Sequence, residues 1–155
     1  MGGTILCGVT DSREGQAAAQ LAGALSERLG SRLVLAHAVD GVPPGTHESL
    51  TARQRQAGAE RALEELARGL GTNGEIELRV GFGDRAELLA QIAAEEGADL
   101  IVLGSRASGL RGRQLACTLA RELEASTPAP VLVAPPQTRR RAERRLAVAE
   151  AASTR

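Results

Sequence analysis

Residues 100–103, Leu-Ile-Val-Leu, form an unbroken apolar run that stops at Gly104, and this run constrains the fold more than any other stretch. In a chain that alternates strands with helices, so short a run reads as a parallel strand buried on both faces, because crossover helices cover both sides of a parallel sheet. The ten residues after Gly104 have the opposite character. From Ser105 to Gln114 the one apolar side chain larger than Ala is Leu110, while Gly109, Gly112, Arg106, Arg111 and Arg113 supply open backbone and positive charge. A loop of this kind at the start of a helix offers free N–H groups and planar guanidinium donors to an anion, so it reads as a phosphate seat. The plainer reading of the same arginines is solvated loop charge.

The rest of the chain repeats the strand-then-helix unit. Residues 4–9 are apolar and read as a first buried strand, ending at Thr10-Asp11-Ser12. Ala18, Leu21, Leu25 and Leu29 then recur at helical spacing, with Ser12 as N-cap and Gly30 as the stop. Residues 32–39 form the second strand, residues 40–45 a loop, and a helix runs from about Leu50 to Leu70 on a stripe of Ala59, Leu63, Leu66 and Leu70. Residues 75–80 alternate charged and apolar side chains, which suits a strand at the edge of the sheet. Asp84 with Glu87 three positions on has capping-box spacing and opens a third helix, whose buried face is Leu88, Leu89, Ile92 and Ala93 and whose end is Gly97. Leu115, Leu119 and Leu123 carry a fourth helix; residues 130–134 give a fifth strand that Pro135-Pro136 terminates.

This order implies a single α/β domain over residues 1–136: a doubly wound, Rossmann-like parallel sheet of five strands in the order 3-2-1-4-5, with helices on both faces. At 155 residues there is no room for a second domain. Ligands of such sheets sit outside the carboxyl ends of the strands at the switch point, here between the first and fourth. Thr10, Asp11 and Ser12 would then face residues 104–109 across one pocket, although Asp11-Ser12 reads equally as a plain helix cap.

All 19 cations are Arg, which excludes a Walker loop, a Schiff base or a Ser-Lys dyad. One aromatic residue, Phe82, offers no stacking platform for nucleic acid. Cys7 and Cys117 form neither a Cys-x-x-Cys pair nor a disulfide framework, which points to a reducing cytoplasm. No signal peptide precedes the first strand and no apolar run nears the length of a membrane span. His37 and His47 have no carboxylate partner by spacing and make no zinc pattern with the cysteines, so no metal site is expected. Ser105 lacks the surroundings of a nucleophile elbow. Gly81-x-Gly83-x-x-Ala86 fits the dinucleotide fingerprint after a strand, but the acidic residue expected about 20 positions on is replaced by Gly104-Ser105-Arg106, leaving a dinucleotide-dependent enzyme as a remote alternative.

Taken together, ILCGVTDS, LVLAHAV, ADLIVLGS and TPAPVLVAP stand in the order found in universal stress proteins, which the chain resembles over about residues 4 to 135. The nucleotide loop of that family reads G-x2-G-x9-G-[ST] after the fourth strand. Here Gly104 takes the first glycine, Ala107 the second, Cys117 the third and Thr118 the hydroxyl position, so two of three glycines are replaced. Thr10 stands at the family's first-strand Asp and Asp11 at the glycine after it. The resemblance implies Ala38 against adenine, Gly83 near the ribose, and Leu103, Gly104, Arg106, Ala107, Cys117, Thr118 and Leu119 around ribose and phosphates. It implies a non-catalytic domain binding AMP or ATP with modest affinity, because side chains at two glycine positions obstruct close approach of the phosphates. The alternative is the same fold as a dimeric protein-interaction module without nucleotide.

Two expectations concern association. An unguarded apolar edge at Val131, Leu132 and Val133 predicts a homodimer through the fifth strand, as the resemblance also implies. Residues 137–155 hold six Arg against two Glu, which leaves 13 Arg against 17 acidic residues, net −4, in the remainder; they read as an exposed tail that docks on a partner or an acidic surface.

Overall fold

The computed structural model describes residues 2–10, 13–41, 43, 49–105 and 110–135, and side chains within these except those of Arg13, Ser49 and residues 110–117. Nine elements alternate along it: β1 (Thr4–Gly8), α1 (Arg13–Leu29), β2 (Arg32–Val39), α2 (Ser49–Leu70), β3 (Ile76–Phe82), α3 (Arg85–Glu96), β4 (Leu100–Gly104), α4 (Leu110–Ser126) and β5 (Val131–Ala134). All four strand pairings are parallel, in the order β3-β2-β1-β4-β5. The predicted topology is the observed one.

Parallel strands sandwiched by helices must be apolar on both faces. In β1 and β2, Ile5, Cys7, Leu33 and Leu35 turn toward one cluster, closed by Ala18, Ala19 and Ala22 of α1 and Leu63 of α2. The opposite parity, Leu6, Val34 and Ala36, joins Ile101 and Leu103 of β4 under Leu89 and Ile92 of α3 and Leu123 of α4. β3, at the edge of the sheet, has α2 on one face and meets α3 on the other through charged side chains and Leu88. Its Ile76, Leu78 and Val80 pack on the first cluster, while Glu77 and Arg79 point the other way into an ion-pair network with Arg32, Glu95 and Glu96. The charged alternation that marks this edge strand in the sequence is that network.

Local signals explain most boundaries. Asp84 caps α3, its side chain accepting from the Glu87 N–H at 3.0 Å. Asp99 ties the starts of β1 and β4: its carboxylate accepts from the Thr4 N–H and its own N–H donates to the Thr4 carbonyl, both at 2.8 Å. Two boundaries differ from expectation by more than one residue. β3 extends to Phe82 because the ladder with β2 continues through Ala38–Gly81 and Val39–Phe82. α4 begins at Leu110, well ahead of Leu115, so Cys117 and Thr118 lie inside the helix instead of at its start. Among the described residues no helix is long and apolar enough to cross a membrane. Residues 137–155, the predicted tail, lie outside the described residues.

Candidate functional site

The carboxyl ends of β1 and β4 lie side by side, Gly8 in register with Leu103. Just beyond, the Val9 N–H donates to the Ala36 carbonyl and the Val9 carbonyl accepts from the His37 ring at Nδ1, both at 2.8 Å. His37 therefore pins the ends of β1 and β2 together, a structural role. Thr10 comes next, half-buried at the mouth of the switch point.

Close packing at this mouth depends on two glycines. A Cβ on Gly104 would stand 2.6 Å from the Glu14 carbonyl oxygen and 2.9 Å from its carbon; one on Gly15 would stand 2.2 Å from the Thr10 carbonyl oxygen. Both contacts are with backbone, which cannot rotate away, so the first turn of α1 wedges between the ends of β1 and β4 because neither glycine carries a side chain. Packing against α1 thus accounts for Gly104 independently of any phosphate.

On the α3 side, Ala38 is half-buried and faces Gly81 in register. The Leu88 methyl carbons lie 2.5 and 2.8 Å from where a Gly81 Cβ would be, and Leu103 and Leu89 each come within 3.0 Å of the equivalent point on Gly8. Leucines fill the space above both. Leu103 itself is buried. Gly83 is exposed at φ +110°, its N–H donating to the Val39 carbonyl at 3.3 Å, close to the Ala38 end of β2.

The phosphate side is altered by where α4 starts. In a helix only the first four N–H groups lack an intrahelical acceptor; Cys117 and Thr118 are the eighth and ninth residues of α4, so their amides serve the helix. The expectation that Cys117 meets a phosphate at this helix's N-terminus is corrected accordingly. Thr118 is exposed and Leu119 half-buried against the α3–α4 cluster. Asp11, Arg106, Ala107 and Gly109 lie outside the described residues, as do the side chains of Arg111, Arg113 and Cys117.

Two features are not legible in the sequence. The Ser105 hydroxyl, on a residue only 4% exposed, has no hydrogen-bond partner among the described residues, and a sequence gives no sign that a serine after a strand will be buried in this way. A groove of about 490 Å³ also runs between α1 and α2; of the predicted site residues Thr10 lines it, and Ala38, Gly83, Leu103, Gly104, Thr118 and Leu119 do not.

Three further observations bear on other chemistries. The Asp84 carboxylate already occupies the N-terminus of α3, where the pyrophosphate of a dinucleotide bound by Gly81-x-Gly83-x-x-Ala86 would have to sit. Burial pushes the Cys7 thiol up to about 12, with the Arg85 charge pulling weakly the other way, so Cys7 is a neutral core residue and no nucleophile. Among the described residues no group of three or more His, Cys, Asp or Glu side chains could hold a metal ion.

Residues 1–135 match the universal stress protein family. A Thermus aquaticus protein described as a universal stress protein in the QAH/OAS sulfhydrylase 3′ region is 33% identical over 135 residues, covering 84% of this chain and 96% of its own. Among solved structures, universal stress protein UspA from Lactobacillus plantarum superposes with a TM-score of 0.72 at 20% identity, covering 86% of this chain and 97% of that one. A universal stress protein in complex with cAMP gives 0.66 at 19% identity, covering 87% and 98%.

Proposed function

Given that this chain belongs to the universal stress protein family, we propose that it is a non-catalytic adenine-nucleotide-binding domain acting in a stress response as a homodimer. The observation that supports this reading is the pairing of β1 with β4, which sets the carboxyl ends of these strands side by side at the switch point of a doubly wound sheet, where ligands of such sheets bind. The complex of a similarly folded protein with cAMP supports an adenine nucleotide as the class of ligand. Ala107 and Cys117 replace glycines of the family loop, and the amides of 117 and 118 are spent inside α4, so the terminal phosphates gain little and AMP rivals ATP. Without lysine, and with the family's first-strand Asp replaced by Thr10, no turnover is expected. The cysteine usage fits a cytoplasmic protein.

Titration calorimetry with AMP and ATP, alongside mass spectrometry of ligand released from the purified protein, tests the reading. Comparable micromolar affinities support it. Sub-micromolar ATP binding with AMP far weaker overturns the account of the phosphates.

Association through β5 rests on its edge position: Val131 and Val133 are half-buried and Leu132 is 38% exposed, with no charge along the strand. A second copy paired across a two-fold axis would satisfy the free backbone groups. Leu132→Lys should give monomers in sedimentation. Wild-type protein that sediments as a monomer at tens of micromolar rules the dimer out.

One observation favours the second reading, a dimeric interaction module without nucleotide. Leu88 fills the space over Gly81, the register partner of Ala38, and Leu89 and Leu103 fill that over Gly8, which leaves less room on the side to which the resemblance assigns the base. An intact dimer that binds neither nucleotide would establish it over the first.

A further inference from the structure

The groove between α1 and α2 lies beside the cluster in which the two helices pack, and is walled by polar side chains of one and small residues of the other. α1 offers Gln16 and Gln20, one helical turn apart on the same face, and α2 offers the small residues Ala59, Ala62 and Gly69. Below them the floor is apolar, made by Val9, Leu63, Leu66 and Leu70. Its volume of about 490 Å³ falls within the range of small-molecule pockets.

Among the described residues Glu65 is the single charged one along it. The neighbouring arginines of α2 are turned onto their own helix, Arg61 to the Ala57 carbonyl and Arg68 to the Glu64 carbonyl. His37 adds an acceptor: Nδ1 donates to the Val9 carbonyl, so in the neutral ring Nε2 carries a lone pair. A carboxylate and a ring nitrogen above a leucine floor suit a ligand with an N–H donor head and an apolar body, and repel a phosphate.

We propose that the α1–α2 groove is a second binding site, adjoining the switch point at Thr10 and running away from it between the helices, for a small organic cation: an ammonium group held by Glu65 and His37, with its hydrocarbon part on Leu63, Leu66 and Leu70. The inference does not depend on nucleotide binding.

Phenethylamine and 3-phenylpropionate, alike in shape and opposite in charge, serve as probes of the full-length protein by amide chemical-shift titration. Phenethylamine should shift Val9, Gln20 and Leu66 saturably in the millimolar range. Because Glu65 is exposed, its attraction is that of a surface charge, and the amine should bind about threefold or more tighter than the acid. Glu65→Gln should remove that preference, whereas Glu64→Gln, one residue outside the lining, should preserve it. Equal binding of the two probes, the same preference in Glu65→Gln, or no saturable shift in these residues overturns the proposal. Shifts confined to residues 8, 38, 83 and 103 would place the amine at the switch point and overturn it as well.

Discussion

Replacing Gly104 by Ala separates a packing glycine from a phosphate-binding one. The added Cβ would lie 2.6 Å from the Glu14 carbonyl oxygen, 2.9 Å from its carbon and 3.2 Å from the Gly15 nitrogen. A relaxed carbon–oxygen contact is about 3.3 Å or longer, so the start of α1 must retreat by roughly 0.7 Å. Every atom in the way is backbone of one helical turn, and no rotamer change relieves the overlap. Overpacking of this kind costs about 1–3 kcal/mol, which for a chain of this size lowers Tm by roughly 3–9 °C. Urea unfolding followed by circular dichroism, with nucleotide absent, gives the loss directly. Gly58→Ala is the counterpart: Gly58 is an exposed position within α2 with nothing within 4 Å of an added Cβ, and the substitution should gain about 0.5–1 kcal/mol of helix stability. If Gly104→Ala leaves the urea midpoint unchanged while nucleotide binding is lost, the packing explanation of Gly104 is wrong.

Three further perturbations test other parts of the fold. Asp84→Ala removes the α3 cap and should cost about 1 kcal/mol in urea unfolding, with Asp84→Asn restoring most of it. Glu96, whose side chain is 10% exposed, bridges Arg32 and Arg79; Glu96→Ala should cost about 1–2 kcal/mol, whereas Glu77→Ala, on a carboxylate 41% exposed, should cost less than about 1 kcal/mol. A Glu77 variant as damaging as the Glu96 variant would contradict the weighting by burial. The folded Cys7 pKa of about 12 lies above the ordinary thiol value of 9.0, so its contribution to stability is complete below pH 9 and fades as pH rises from there toward about 12. The urea midpoint of wild-type protein should fall faster over that window than that of Cys7→Ala, and parallel slopes would refute the assignment.

Several features of this protein are decided by the sequence alone. Period-two burial on both faces of apolar strands, helical stripes between them, the Asp84 cap and the prolines after β5 are local signals. Once every strand is followed by a crossover helix, handedness leaves few sheets to choose from. Glu77 and Arg79 even mark β3 as an edge, because only a strand with one face outside the apolar core can keep charges there. The mouth of the site is settled by tertiary structure. A glycine in sequence does not say whether it makes room for a phosphate or for a helix, and only the approach of α1 to within 2.6 Å of Gly104's missing Cβ gives it a packing role. The G-x2-G-x9-G-[ST] spacing likewise counts residues without saying where α4 begins, and its start at Leu110 spends amides that the pattern assigns to a ligand. The α1–α2 groove is lined by residues far apart in sequence, from the end of β1 to the end of α2, and local periodicity carries no record of such a juxtaposition.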